Sequence, residues 1–256
     1  MTLAGGGDHA GLVVRIGDTV HRPSSPATPA VRELLTHLAD AGFDGAPRFV
    51  GLDDEGREVL SYVDGAVPVP PRPPLSGWLI VDERAVGSVG ALLRRYHDAV
   101  AGFGPPPDAP WQGGPPEPFA GDVVCHNDPV VGNVVFRRGV AVALLDFDYA
   151  GPGDPIWDVA VAAQHWVPLA DPIDFVGGGA DMVGGRLDRF LRDYGRSIDR
   201  DRLFDAVDAY LERGRRSVEA RVAASQPVFV EYWEAGLGDR LLRARAWVAE
   251  HRTRLS

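Results

Sequence analysis

Lysine is absent from this chain of 256 residues, since all 26 of its Lys+Arg positions are arginine. The 36 aspartates and glutamates outnumber them and give a formal net charge of -10. A surface of this sign repels a phosphate backbone, so the composition excludes nucleic acid as the expected partner. It favours a small molecule instead, and a cationic one would be attracted.

Cysteine and long apolar runs are also scarce. The single cysteine, Cys125, can form neither an internal disulfide nor a site with several cysteine ligands. No stretch approaches the roughly 18 consecutive apolar residues of a membrane span, and the first residues do not resemble a secretory signal. We therefore expect a soluble, unprocessed, cytoplasmic protein with no membrane partner. Composition does not indicate an oligomeric state.

The first quarter of the chain has the pattern of a small sheet. Two short apolar runs flank the turn at Gly17 and Asp18, and two more flank an acidic turn at residues 53–56. Between the pairs, residues 28–43 place Val31, Leu34 and Leu38 at helical spacing. This predicts a β-rich N-terminal lobe with one inserted helix over residues 1–65.

A proline-rich stretch at residues 66–77 marks the predicted boundary of that lobe. Beyond it, helical spacing recurs at residues 82–103, and a hairpin is predicted at residues 134–145. Asp154 followed by Pro155 predicts a helix start, and further helices are expected at 180–194, 200–224 and 228–252. The fold class is thus α+β with two lobes, and residues 66–256 form a mainly helical C-terminal lobe.

The segment "HNDPVVGNVVFRRGVAVALLDFD" places polar residues at the ends of apolar runs. His126, Asp128 and Asn133 follow the order H-x-D-x-x-x-x-N, and Asp146 comes one hairpin later. This is the order of a protein-kinase catalytic loop and its metal-binding aspartate. Phosphoryl transfer needs a carboxylate that orients the attacking hydroxyl, here Asp128, and oxygen ligands for Mg²⁺, here Asn133 and Asp146.

Together with "LLDFDYAGPGDPIWDVA" and the helix end "LLRRYH", this segment resembles the aminoglycoside phosphotransferase and choline kinase family. The resemblance extends over most of the chain and implies a two-lobed, protein-kinase-like fold. It also implies that the chain uses ATP, or GTP, with Mg²⁺ to phosphorylate a hydroxyl of a small molecule, such as an aminoglycoside-like or amino-alcohol acceptor. Asp128, Asn133 and Asp146 are then the catalytic residues, and Asn133 and Asp146 are the metal ligands.

The same resemblance implies a set of nucleotide-binding residues in the N-terminal lobe. Kinase-like folds carry a phosphate-binding lysine on the third strand, paired with a helix glutamate, and this chain has arginine there. Arginine keeps the charge but differs in length and geometry. The implied set comprises a glycine-rich loop, the arginine with its helix partner, and hinge residues whose backbone would bind the purine: Gly5, Gly6, Gly7, Arg22, Glu33, Tyr62 and Val63.

Several nearby residues are expected to have supporting roles. In the family-like segment, Asp158 is favoured as a structural residue that bonds the catalytic loop or caps its own helix, and His126 as a brace of the loop. His97 is expected at a helix end or in the core. Asp148 is either a second metal contact or a solvated carboxylate. Candidates for the acceptor site are the aromatic and acidic residues Tyr149, Trp157, Trp166, Asp188, Asp193, Glu231 and Glu234, for which core packing or solvation is the simpler interpretation.

Two other functions fit parts of the pattern. The missing lysine and short N-terminal segment are compatible with a nucleotide-binding pseudoenzyme or regulatory module. A metal hydrolase could use His126, Asp128 and Asp146, but it leaves Asn133 unexplained and lacks further histidines at ligand spacing. The sequence distinguishes neither ATP from GTP nor one acceptor from another.

Overall fold

A computed structural model describes residues 12–68, 82–106, 108–174 and 180–255. The N-terminal part is a four-stranded antiparallel sheet in the order β1-β2-β4-β3. Its strands are β1 (Val14–Ile16), β2 (Thr19–Arg22), β3 (Phe49–Leu52) and β4 (Glu58–Ser61). The two predicted hairpins are therefore present. In the tertiary structure the two hairpins form one sheet, because β2 pairs with β4. This pairing places Arg22 opposite Glu58.

One helix, α1 (Thr28–Asp40), lies between β2 and β3, as the spacing predicted. Proline occupies its first turn, where a missing N–H costs nothing. Its apolar face is buried through Ala30, Val31, Leu34, Leu35 and Leu38. Burial of about five such side chains contributes on the order of 10 kcal/mol in transfer free energy, before chain entropy is subtracted. This face attaches α1 to the core and leaves its polar face outward.

The C-terminal part is built on α2 (Glu83–Val100). Asp82 caps its start by accepting hydrogen bonds from the N–H groups of Arg84 and Ala85. Gly90 allows a close helix crossing, because a Cβ there would lie 2.4 Å from the carbonyl oxygen of Phe190 on α4 (Ala180–Tyr194). A side chain at this position would force the two helices apart.

Two small antiparallel pairs lie beside α2. Strand β5 (Val123–Cys125) pairs with β8 (Gly151–Gly153), and β6 (Val134–Arg137) pairs with β7 (Val140–Leu144) as the predicted hairpin. The segments 126–133 and 145–150 connect these pairs, so both leave the same small region of the fold. The polar motif of the sequence lies on these two connections.

The remaining helices make up the rest of the C-terminal part. They are α3 (Pro155–Trp166), α5 (Arg200–Ala223), α6 (Pro227–Glu234) and α7 (Leu237–Leu255). Asp154 caps α3 as predicted, accepting from the N–H of Ile156 at 2.9 Å. The single helix predicted over residues 228–252 was wrong: it is two helices, because Gly236 adopts a φ of 83° and ends α6. Among the described residues, no helix is both long and apolar enough to cross a membrane.

The α+β class is as expected, with a sheet and one helix first and seven helices in the described ranges altogether. After β4 the chain leaves the sheet, and Ala66 pairs with Phe136 of β6. The division at residues 65 and 66 stays a prediction.

We expect acid to destabilise this fold through His165. Its Nε2 bonds the Tyr210 hydroxyl at 2.8 Å, and burial lowers the pKa of His165 from 6.5 to about 4. Between pH 6.5 and pH 4, His165 binds a proton in the unfolded chain but not in the folded chain. The contribution of His165 to the free energy of unfolding is therefore fully present above pH 6.5 and is lost as the pH falls towards 4. The loss is on the order of 2–3 kcal/mol in the free energy of unfolding.

Urea unfolding at pH 7 and near pH 4.5 measures this loss. A His165→Gln variant should lose less stability between the two pH values than the unmodified chain, and His251→Gln should lose as much. An equal loss in His165→Gln would show that other groups cause the acid sensitivity.

Candidate active site

The catalytic loop, residues 126–133, brings two of the predicted site residues into direct contact. The chain makes a single 3₁₀ turn at Val131–Asn133. This turn places the Asn133 side chain so that its Nδ2 donates to Asp128 Oδ2 at 2.8 Å and to the Asp128 carbonyl at 3.0 Å. The amide oxygen of Asn133 is the atom left to bind another group.

Asp158, on the first turn of α3, binds the backbone of this loop. It is fully buried and accepts from the backbone N–H of His126 at 2.7 Å and of Asn127 at 2.6 Å. Its Oδ2 also accepts from His97 Nε2 at 3.1 Å, while the Tyr194 hydroxyl bonds the other nitrogen of His97 at 3.0 Å. The expected structural role of Asp158 is confirmed, as is the core position of His97. Because both carboxylate oxygens are used, the loop backbone has one position relative to α3.

His126 braces the loop on its other side. Its Nε2 donates to the Leu145 carbonyl at 2.9 Å, and its Nδ1 accepts from the Asp128 N–H at 3.3 Å. One nitrogen donates and the other accepts, which is the neutral imidazole. Burial lowers the pKa of His126 and is consistent with that state. The ring therefore positions the loop, as expected.

Asn127 turns the chain between His126 and Asp128. Its φ of 63° lies in the left-handed region, which asparagine tolerates better than most residues. Its Nδ2 donates to the carbonyls of Tyr149 at 2.9 Å and Gly151 at 3.2 Å. Asn127 therefore fixes the loop to the segment that follows Asp146.

That segment carries Asp146 and Asp148. Asp146 also has a left-handed backbone, with φ 60°, a costly conformation for a non-glycine residue that clusters at functional sites. The N–H of Leu145 donates to the Asn133 carbonyl at 2.8 Å, which joins the end of β7 to the catalytic loop. The structure therefore brings Asp128, Asn133 and Asp146 onto two directly bonded connections.

Arg22 reaches this region from the N-terminal sheet. Its Nη1 donates to Asp146 Oδ1 at 3.1 Å, and its Nη2 to Asp148 Oδ1 at 2.5 Å. Its Nε donates to Glu58 Oε2 at 2.6 Å. The predicted pairing of Arg22 with Glu33 was wrong, because the register of β2 and β4 places Glu58 directly across from Arg22. The sequence motifs did not identify Glu58. The only indication of its role in the sequence is a charged residue at the start of an apolar strand.

The pKa values follow from this crowding of charge. Burial, helped by the nearby Asp146 charge and opposed by the Asn133 hydrogen bond, raises the pKa of Asp128 to about 7. Burial also raises the pKa of Asp148, while Arg22 opposes that change. For Arg22, burial alone would lower the pKa, but Asp148, Glu58 and Asp146 together raise it, so the guanidinium is charged. A carboxyl with a pKa close to neutrality is suited to proton transfer.

The donor atoms suit a hard cation. Asp146 contacts Arg22 through Oδ1, which leaves Oδ2 for a metal, and Asn133 has its amide oxygen. Carboxylate and amide oxygens are the ligands that Mg²⁺ takes in proteins. Asp148 is largely buried against Arg22, with 13% of its side chain exposed, so it is not a solvated carboxylate.

The other predicted nucleotide-binding residues differ in whether their backbone groups are available to bind a purine. The N–H of Tyr62 donates to the Asp18 carbonyl at 2.8 Å, so this N–H is already engaged. The Tyr62 ring lies under the Arg15 guanidinium. The backbone of Val63 makes no hydrogen bond to the described residues and is the more available of the two. Gly5, Gly6 and Gly7 lie outside the described residues, and their role stays a prediction.

Most acceptor candidates are explained by structure. Trp157 and Trp166 are buried, and Trp166 Nε1 donates to the Pro129 carbonyl at 2.9 Å, which supports the catalytic loop. Asp188 pairs with Arg200 and Asp193 with Arg189. Both acids are therefore paired with arginines. Asp188 is also half exposed, as a solvated carboxylate would be, whereas Asp193 is only 26% exposed.

Comparison with known proteins matches these features to a family. The model of the phosphotransferase enzyme family matches residues 120–204, which contain the catalytic loop, Asp146 and Asp158. The chain is also 32% identical over 269 residues to the trifolitoxin immunity protein of Rhizobium leguminosarum bv. trifolii. That alignment covers 99% of this chain and 96% of the relative.

Solved structures share the fold. A choline/ethanolamine kinase family protein from Mesorhizobium loti superposes with a TM-score of 0.65 at 17% identity, covering all of this chain and 91% of that one. The GDP complex of aminoglycoside 2′-phosphotransferase-IIIa gives 0.64 at 14% identity, covering 96% of this chain and 91% of that one. These likenesses confirm the expected two-lobed, kinase-like α+β fold. Because the relative spans nearly the whole chain and the family model covers its catalytic segment, the chain belongs to the phosphotransferase enzyme family.

Proposed function

We propose that the chain transfers the γ-phosphoryl group of ATP, or GTP, to a hydroxyl of a small molecule, with Asp128 as the residue that orients the hydroxyl. The carrying observation is the direct bonding of the two connections that hold Asp128, Asn133 and Asp146. A carboxylate followed along the chain by an amide and then by a second carboxylate is the arrangement that kinase-type phosphoryl transfer uses.

Each residue has a defined task in this proposal. Asp128 accepts a hydrogen bond from the acceptor hydroxyl and takes its proton as the oxygen attacks. Its hydrogen bond from Asn133 fixes the direction of the carboxylate. Bound Mg²⁺, held by Asp146 and Asn133, would neutralise charge on the phosphate oxygens. Arg22 adds a fixed positive charge beside the same carboxylates, where the phosphates would lie.

For the acceptor, the relative supports an antibiotic or toxin. That protein is named for immunity to trifolitoxin, and its similarity extends over nearly the whole of this chain. A phosphoryl group adds about two negative charges to its acceptor, which would disrupt recognition by a cellular target. We therefore propose a protective role, in which a toxic hydroxyl compound is inactivated.

The experiment is a transfer screen with [γ-³²P]ATP and [γ-³²P]GTP in Mg²⁺. The acceptors are aminoglycosides, choline-like amino alcohols, sugars, peptide antibiotics and, separately, trifolitoxin. Labelled product with at least one acceptor supports the proposal, and chelation of Mg²⁺ by EDTA should abolish it. Nucleotide binding without transfer to any acceptor would count against it.

That last outcome would favour the second candidate, a nucleotide-binding pseudoenzyme or regulatory module. The observation in its favour is Arg22, which occupies one oxygen of Asp146 and one of Asp148 and so competes with a metal for them. Calorimetric binding of nucleotide with and without Mg²⁺ separates the two. The pseudoenzyme would bind nucleotide equally well in both conditions.

A further inference from the structure

We propose that Glu58, on strand β4, is the positioning residue that holds Arg22 for the nucleotide phosphates, in the place where a kinase-like fold uses a carboxylate from the helix. This inference rests on the proposed function. Nothing in the motif pattern indicates Glu58, because it lies in a different strand from Arg22 and 36 residues away.

The geometry singles out Glu58 among the three carboxylates that contact Arg22. Arg22 Nε donates to Glu58 Oε2 at 2.6 Å, and both side chains are buried, with 9% and 1% exposed. Asp146 is far more open, with 41% of its side chain exposed. Asp148 is 13% exposed, so the Glu58 contact is the most shielded of the three from water, where a charge-assisted hydrogen bond is strongest.

The three contacts also divide the guanidinium by function. The two terminal nitrogens face Asp146 and Asp148, on the connection that would meet the metal and the phosphates. The inner nitrogen, Nε, faces Glu58 alone. When a nucleotide enters, the terminal nitrogens can exchange carboxylate for phosphate oxygens while Nε stays on Glu58. Glu58 thus anchors Arg22 and also balances its charge when the other two contacts are given up.

The strand register makes this anchor rigid. Arg22 and Glu58 are directly opposite residues of the antiparallel pair β2 and β4. Their separation is set by backbone hydrogen bonds of the sheet, and no movement of α1 is required to form the pair. Glu33 of α1 is only partly buried and makes no contact with Arg22. We infer that the nucleotide-binding ion pair of this chain is independent of α1.

The test compares Glu58→Gln with Glu33→Gln, a matched control of the same chemistry. Affinity for MgATP and MgGTP is measured by calorimetry, and KM and kcat with the best acceptor from the screen. Glu58→Gln should raise the nucleotide Kd and KM roughly tenfold to hundredfold, the range expected for loss of a charged hydrogen bond, with a smaller change in kcat. Glu33→Gln should stay within about twofold of the unmodified chain in each quantity.

A general structural defect would lower the active fraction and kcat without this preference for the nucleotide KM. If Glu58→Gln does not fold, Glu58→Asp keeps the charge at a shorter reach, and the nucleotide Kd should then rise while Glu33→Asp leaves it unchanged. A larger effect at Glu33, or an unchanged nucleotide Kd in both Glu58 variants, would overturn the assignment. If the unmodified chain binds neither nucleotide, the proposed function itself fails, and this inference with it.

Discussion

Replacing Asp128 by asparagine should lower kcat for phosphoryl transfer about 10³-fold and leave the Kd for MgATP within about twofold. The change keeps the shape of the side chain and an oxygen that can accept from Asn133 Nδ2, now at 2.8 Å. It removes the negative charge and the capacity to accept a proton. Since Asp128 is proposed to contact the acceptor hydroxyl and not the nucleotide, the loss should fall on turnover. Single-turnover kinetics with labelled nucleotide, and calorimetry for binding, measure the two quantities separately.

Asp122→Asn is the control, because it makes the same chemical change at an exposed position just before β5. It should leave kcat within about twofold. Turnover of Asp128→Asn within tenfold of the unmodified chain would remove Asp128 from the catalytic role. A loss of nucleotide binding as large as the loss of kcat would assign it to the nucleotide instead.

Replacing Asp158 by asparagine should have the largest effect on stability, a loss of about 3 kcal/mol in the free energy of unfolding. Both carboxylate oxygens of Asp158 accept backbone N–H groups, at 2.6 Å from Asn127 and 2.7 Å from His126. An asparagine presents one oxygen and one NH₂ group, so one buried N–H would face another donor. For a chain of this size the loss corresponds to a fall of roughly 6–12 °C in Tm. Urea unfolding followed by tryptophan fluorescence gives the free energy, and calorimetry gives the Tm.

The matched control is Asp154→Asn, at the N-cap of the same helix. Asparagine caps helices about as well as aspartate, so this variant should lose about 1 kcal/mol or less, including its contact with Arg202. If Asp158→Asn is as stable as Asp154→Asn, the loop backbone has partners other than Asp158. Because Asp158 also sets the position of Asp128, its variant should lose kcat at temperatures where it is still folded.

The contacts of Arg22 explain how an arginine serves at the position where kinase-like folds carry a lysine. An arginine presents three separate nitrogen directions in one plane, and here each is matched to a different carboxylate, on Glu58, Asp146 and Asp148. A lysine ammonium at this position would be a compact charge without a planar fork. Arginine in place of lysine therefore allows one side chain to bond three carboxylates of the site at once.

Sequence by itself determined the parts of this protein that depend on neighbouring residues. Short apolar runs on either side of turns predicted the strands on both sides of α1, helical spacing predicted α1 and α2, and Asp154 with Pro155 predicted the start of α3. The order of Asp128, Asn133 and Asp146 predicted one site, because a loop and a hairpin end are close in space when only one hairpin separates them.

Only the tertiary structure decided which distant groups meet. The pairing of β2 with β4 chose Glu58 over Glu33 as the partner of Arg22, and the sequence holds no local signal for a register between strands with a helix between them. The division of the last predicted helix at Gly236 is different, because a glycine that takes the left-handed conformation at a helix end is a local signal. Local patterns follow from the period of each element, whereas the partners of a buried charge follow from the packing that desolvates it.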